Sequence, residues 1–356
     1  MTGMSRRTLL LGGLGLGAAA LTGCTSAPAA GPVPSASGPM PTLPPATPRP
    51  GQRIVEQVLT AKPVTLDLGG PTVPTWAYGD TAPGPLVRAT AGDFLRIRLD
   101  NQLPADTTIH WHGIRLHNKA DGVPGMTQDP VPAGGSFTYE FTAPDPGTYF
   151  FHPHVGVQLD RGLYAPLIVD DPNEPGAYDA EWVVVLDDWV DGTGRTPDDV
   201  LAKLIADGGP APSGGMGGMG GMGGMDHGGH GGGNAPQPWG DAGDVTYPYF
   251  LINGRVPTAP ATFEAKPGQR VRIRLINAAS DTIFTVALGG HRLTVTHSDG
   301  FPVEPREVDA LYLGMGERYD ALVTLDDGVF PLVARPFGKT EGGQGLALVR
   351  TGSGQA

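Results

Sequence analysis

Two histidine pairs carry the chemistry of this chain: His110 and His112 in Thr108-Ile109-His110-Trp111-His112-Gly113, then His152 and His154 in Tyr149-Phe150-Phe151-His152-Pro153-His154. Both lie in β-type sequence, where side chains at i and i+2 share a face. Each pair therefore aims two imidazoles the same way while Trp111 or Pro153 turns aside. Four convergent imidazoles suit copper, zinc, iron or nickel, and spacing alone does not name the metal. A lone His-x-His is more often a hydrogen-bonded surface or core feature than a ligand set. Two such pairs, each closing a strand-like run, argue for metal.

The elements that must position these residues repeat. Gly92-Asp93-Phe94-Leu95-Arg96-Ile97-Arg98-Leu99-Asp100-Asn101 returns 176 residues later as Gly268-Gln269-Arg270-Val271-Arg272-Ile273-Arg274-Leu275-Ile276-Asn277. Alternating apolar and charged residues predict a half-buried strand in both copies. After Asn101 the chain reaches His110 and His112, whereas after Asn277 it runs Phe284-Thr285-Val286-Ala287-Leu288. Likewise Phe330-Pro331-Leu332-Val333-Ala334 stands where copy one has its second histidine strand. Copy two is read as the same scaffold without ligands.

Turn chemistry such as Pro144-Asp145-Pro146-Gly147 and Asp326-Asp327-Gly328 separates short strands. The one helical stretch is Thr196–Ala206, with Asp198 and Asp199 at the end that a helix dipole favours. His291 and His297 lie six apart, which on a straight strand puts both on one face. Without a third ligand they are read as ordinary hydrogen-bonded histidines.

The N-terminus reads as an address. Ser5-Arg6-Arg7-Thr8-Leu9-Leu10 is a twin-arginine n-region, Leu9 to Leu21 an apolar core, and Leu21-Thr22-Gly23-Cys24 a lipoprotein cleavage box. Residues 1–23 are thus expected to be an export signal and Cys24 the acylated N-terminus, anchoring the protein on the outer face of the cytoplasmic membrane. Residues 24–50, rich in Ala, Pro, Ser and Gly, read as a disordered tether. No second stretch is long enough and apolar enough to span a bilayer. The formal charge of −12 becomes −14 once Arg6 and Arg7 are removed, which disfavours nucleic acid as a partner.

One further segment stands apart. Within 213–233, thirteen glycines alternate with Met216, Met219, Met222 and Met225, followed by His227 and His230. Thioether sulfur prefers Cu(I), so this segment is either an accessory copper loop or a low-complexity linker.

The stretch from Thr108 to Asp171 resembles the first cupredoxin domain of the multicopper oxidases. The match is carried by His110-Trp111-His112-Gly113, Asp121-Gly122, Thr127-Gln128, Pro132-Ala133-Gly134-Gly135-Ser136-Phe137-Thr138-Tyr139, Gly147-Thr148-Tyr149-Phe150-Phe151-His152-Pro153-His154 and Gly162-Leu163-Tyr164-Ala165-Pro166-Leu167-Ile168-Val169. It extends from about Val64 onward and is nearest to bacterial lipoprotein members of copper-resistance or laccase-like type. The resemblance implies an all-β fold of two tandem cupredoxin-like Greek-key β-sandwiches with one short helix. The first would occupy 51–175 and hold the histidine pairs, and the second 176–350, without copper ligands and with a Gly/Met/His-rich loop at 208–236.

By the same resemblance, His110 would serve a type 2 copper and His112, His152 and His154 the paired type 3 coppers. Asp121 is a candidate proton donor beside them, and equally a turn residue before Gly122. The family completes its cluster with a C-terminal His-x-x-His-x-His segment and a His-Cys-His segment that also builds a type 1 copper. Neither is present, and the single cysteine is Cys24. The expected function is copper-dependent one-electron oxidation of phenols, Cu(I) or Fe(II) coupled to reduction of O2 to water. The chain alone is expected to be an inactive fragment lacking a C-terminal cupredoxin domain. A copper-sequestering lipoprotein without turnover is the alternative, and a cupredoxin-like protein that has lost its metal a third reading.

Overall fold

The computed structural model describes residues 47–174, 176–208 and 243–355. Cys24 and the Met216 to His230 segment lie outside them.

The first half supplies eight strands: β1 (Ile54–Asp67), β2 (Thr72–Tyr78), β3 (Val87–Thr90), β4 (Phe94–Asn101), β5 (His110–His112), β6 (Ser136–Thr142), β7 (Gly147–His152) and β8 (Ala165–Asp170). They form two four-stranded sheets, β2-β1-β4-β6 and β3-β8-β7-β5. Inward residues of both sheets, among them Leu95, Ile97, Leu99, Trp111, Tyr139, Phe141 and Phe151, fill the space between them.

The second half begins with β9 (Ala180–Trp189) and the single α-helix among the described residues, α1 (Pro197–Ala206). Its start agrees with the acidic Asp198 and Asp199 read from sequence, and Thr196 and Asp199 form a reciprocal capping box, with proline in the first turn. Ten strands follow: β10 (Tyr249–Ile252), β11 (Ala261–Glu264), β12 (Arg270–Asn277), β13 (Phe284–Leu288), β14 (Leu293–Ser298), β15 (Phe301–Val308), β16 (Leu311–Leu313), β17 (Arg318–Thr324), β18 (Val329–Pro336) and β19 (Gly345–Arg350). The sheets run β10-β9-β12-β17-β14-β15 and β11-β19-β18-β13-β16.

The repeat seen in sequence is a repeat of pairing. β4 runs parallel to β1 and antiparallel to β6, and β12 runs parallel to β9 and antiparallel to β17. β3 pairs in parallel with β8 as β11 does with β19. Asn101 and Asn277 close the two copies identically: each amide group donates to two carbonyls, Ala105 and Val131 in one, Thr282 and Leu313 in the other. Each side-chain oxygen then accepts from the backbone N–H two residues on. Such fully satisfied buried amides fix one loop geometry twice.

The expectation of a half-buried strand holds for only one copy. Arg96 of β4 is partly exposed and pairs on the surface with Glu56 and Glu140, each at 2.7 Å. Arg272 and Arg274 of β12 are 4% and 2% exposed. Their face is covered by the first sandwich, so they bond instead to the buried Asp320 of β17 at 2.6 and 3.1 Å. Thr148 of β7 joins this network, accepting from Arg274 at 3.0 Å and donating to Asp320 at 2.5 Å. An apolar cluster of Leu66, Leu68, Phe150, Tyr164, Val185, Trp189 and Ile276 seals the rest of the junction.

His291 and His297 do not share a strand face as predicted. His291 precedes β14, and β14 bulges between Val295 and His297, which breaks the alternation. Both are hydrogen-bonded: His291 takes the Asp326 N–H at 3.0 Å, and His297 contacts Thr296 at 3.0 Å.

Candidate metal centre

β5 is only three residues long and pairs antiparallel with β7, with His110 opposite His152, Trp111 opposite Phe151 and His112 opposite Phe150. The pleat therefore sends His110, His112 and His152 to one face and Trp111 to the other. Trp111 is fully buried against Phe141 and Phe151, ring centres 5.1 Å away in each case. Its bulk anchors a short strand that has few ladder bonds of its own.

On the open face the ring nitrogens of His110, His112 and His152 lie within 4.8 Å of one another, the one such group of metal-capable side chains among the described residues. His154, just past the end of β7, brings its ring to 4.6 Å from His110 and 5.1 Å from His152. It stays solvent-exposed while His152 is buried. The histidine face is thus closed at its base and open on the His154 side.

Neighbouring groups fix the rings. The Nδ1 of His110 contacts the carbonyl of Asp121 at 2.8 Å, and the Asp121 carboxylate lies 3.4 Å from the same nitrogen. The Nδ1 of His152 contacts the Pro153 carbonyl at 2.9 Å. A carbonyl only accepts, so in both rings Nδ1 carries the proton and Nε2 keeps its lone pair. His112 stacks on Phe150, ring centres 4.5 Å apart, and its Nδ1 faces the Nε2 of His152 at 3.2 Å. Burial, with Arg318 and the other imidazoles adding repulsion, pushes His112 down to about 3. Burial does the same to His152, also to about 3, and lowers His154. Neutral imidazoles with free lone pairs are what a divalent metal requires.

Two contributors were invisible in sequence, and both come from the sandwich without ligands. Arg318, 4% exposed, reaches across to donate to the Thr148 carbonyl at 3.1 Å and packs where a side chain on Gly113 would collide with it. The backbone of Gly316 lies against the ring of His112. Gly316 sits in the turn before β17 and Arg318 opens that strand, and only the docking of the two sandwiches brings them here.

A second cluster of ionisable groups follows the site in sequence. Asp160 accepts from Tyr247 at 3.0 Å, and Asp188 accepts from Thr282 at 2.6 Å and from the N–H groups of Ser280 and Asp281 at 3.0 and 3.1 Å. Burial, reinforced by Asp188, raises Asp160 to about 7, and burial also raises Asp187 and Asp188.

Residues 60–174 and 222–353 match two family models, each described as multicopper oxidase. The multicopper oxidase MmcO of Mycobacterium tuberculosis is 49% identical over 98% of this chain and 67% of its own length. A copper resistance protein A homolog of Pseudomonas syringae pv. tomato is 34% identical over 76% of the chain, which spans 47% of that relative. Among solved structures, a multi-copper oxidase from Pseudomonas thermotolerans superposes with a TM-score of 0.65 at 30% identity, covering 86% of this chain and 66% of that one. The blue copper oxidase of Nitrosomonas europaea superposes with 0.66 at 26% identity, over 84% and 86%. The chain therefore spans from about half to two thirds of the curated relatives compared here, and it belongs to the multicopper oxidase family.

Proposed function

We propose that this protein is a copper-dependent oxidoreductase in which His110, His112, His152 and His154 are copper ligands. The observation that carries the reading is the convergence of three ring nitrogens within 4.8 Å, two of them on imidazoles held neutral by burial. An all-imidazole donor set fits copper, and the family binds it. Copper bound there would supply one-electron chemistry and a centre for reducing O2 to water. The chain's own residues supply the rest. Carbonyls of Asp121 and Pro153 orient two rings, Phe150 and Gly316 confine a third, and Asp121 is the candidate to hold a proton beside His110 and His154. The exposed edge at His154 leaves room for further ligands from another domain. Phenols, Cu(I) or Fe(II) are the proposed reducing substrates, in keeping with relatives named for copper resistance and as laccases.

Export by the twin-arginine route and anchoring through Cys24 belong to the same proposal, supported by the leader sequence. The methionines at 216, 219, 222 and 225, with His227 and His230, are proposed as accessory Cu(I) donors. They also support the second reading, sequestration without turnover.

Copper per protein, measured by elemental analysis on the wild type, His112→Ala and His154→Ala, tests the ligand assignment. The variants should keep the β-type circular dichroism and lose copper. Unchanged copper in both would remove the reading.

A further inference from the structure

We infer that Gly316, which lies in the sandwich without ligands, is a positioning residue for His112, so that the second sandwich helps to specify the metal geometry. The inference rests on the copper reading of the histidine face. His112 is confined on three sides. Its ring stacks on Phe150, its Nδ1 meets the Nε2 of His152, and the Gly316 backbone borders its Cε1–Nε2 edge. A β-carbon on Gly316 would lie 2.7 Å from His112 Cε1 and 2.9 Å from Nε2, closer than two non-bonded atoms can settle. Retreat on the stacked side is blocked, because Phe150 is buried in the junction behind the ring. Any side chain at 316 would rotate His112 away from His152.

The internal repeat supplies a matched control. Gly134 is the counterpart of Gly316: its N–H donates to the Asn101 carbonyl at 2.8 Å, as that of Gly316 donates to the Asn277 carbonyl at 3.0 Å. The two share a left-handed backbone, φ +76° and +77°, so alanine meets the same backbone strain in either place. A β-carbon on Gly134 touches nothing within 4 Å. The pair differs in what a β-carbon would meet, nothing at 134 and the His112 ring at 316.

Gly316→Ala and Gly134→Ala should therefore be compared in the full chain by titration with Cu(II) alone and by thermal melting of the metal-free protein. Gly134→Ala should bind copper as the wild type does, while Gly316→Ala should bind about 10- to 100-fold more weakly, the range seen when an outer partner of a ligand is lost. In melting, Gly316→Ala should cost more than Gly134→Ala, and the excess should vanish in a His112→Ala background, where the ring is gone. That double variant also decides the matter if Gly316→Ala alone does not fold. Wild-type copper affinity in Gly316→Ala, or an excess cost that persists without His112, would overturn the inference. A wild-type chain that takes up no copper would instead remove the copper reading, and the melting comparison would still decide whether Gly316 sets the ring.

Discussion

The Nδ1 of His112 and the Nε2 of His152 face each other at 3.2 Å across the β5–β7 pair. Because the Pro153 carbonyl holds the proton of His152 on Nδ1, the lone pair at Nε2 is met by the Nδ1–H of His112. A copper ion held by these two nitrogens would take the place of that hydrogen bond, with the His112 proton carried on Nε2 instead so that both imidazoles stay neutral.

Copper retention should therefore persist in acid. An unperturbed histidine begins to lose its lone pair to protons near pH ~6.5. His112 and His152, held down to about 3, remain neutral well below that. Bound copper followed by elemental analysis should stay nearly constant from pH 6.5 toward pH 4 and fall only as pH approaches 3. Release with a midpoint near 6.5 would show that His112 and His152 alone do not hold the copper at acid pH.

Metal-free stability should carry the opposite signature of the same burial. Both folded-state values lie below the unfolded one, so as pH falls below ~6.5 the unfolded chain gains protons that the folded chain refuses. Replacing His152 with Phe should flatten the loss of unfolding free energy between pH 6 and 4, measured by denaturant titration, by up to about 1.4 kcal/mol per pH unit for the one group.

Asp160 should contribute in the other direction. Its folded-state value is raised from 3.8 to about 7, so its protonated form is favoured in the folded protein. Its stabilisation is present below about pH 4 and lost as pH rises through 7. The stability difference between wild type and Asp160→Asn should drift against the wild type over that interval. A difference independent of pH would mean that Asp160 is ionised throughout.

Asp320 should be critical to the junction. It is 1% exposed and holds Arg272, Arg274 and Thr148 together. Asp320→Ala leaves Arg272 only Glu174 and Arg274 only Glu181 as carboxylate partners, and should cost more in denaturant unfolding than the ~0.2–1 kcal/mol of a surface pair such as Arg96–Glu140.

Two outcomes follow from cysteine count. A blue copper site needs a thiolate, and the one cysteine is Cys24. The copper-loaded 356-residue chain should show no intense blue absorption and no sustained O2 consumption with phenols or Fe(II). Cys24→Ala should shift the protein from the membrane fraction to the soluble one, and persistence on membranes would reject the lipid anchor.

The sequence by itself determined the all-β class, the repeat of the Arg-Ile-Arg-Leu strand, the start of α1 and the histidine pairs. All are local: a period of two, acidic residues at a helix start and an i, i+2 spacing are written in consecutive residues. Only the tertiary structure decided which copy of the repeat is exposed and what borders the metal face. Arg96 and Arg272 occupy equivalent positions in nearly the same sequence, yet one is solvated and the other sealed, because burial depends on what docks against a strand. Gly134 and Gly316 differ for the same reason: two like turns become unlike when one of them meets His112 across a packed junction, a contact set by separation in space and unmarked by any spacing along the chain.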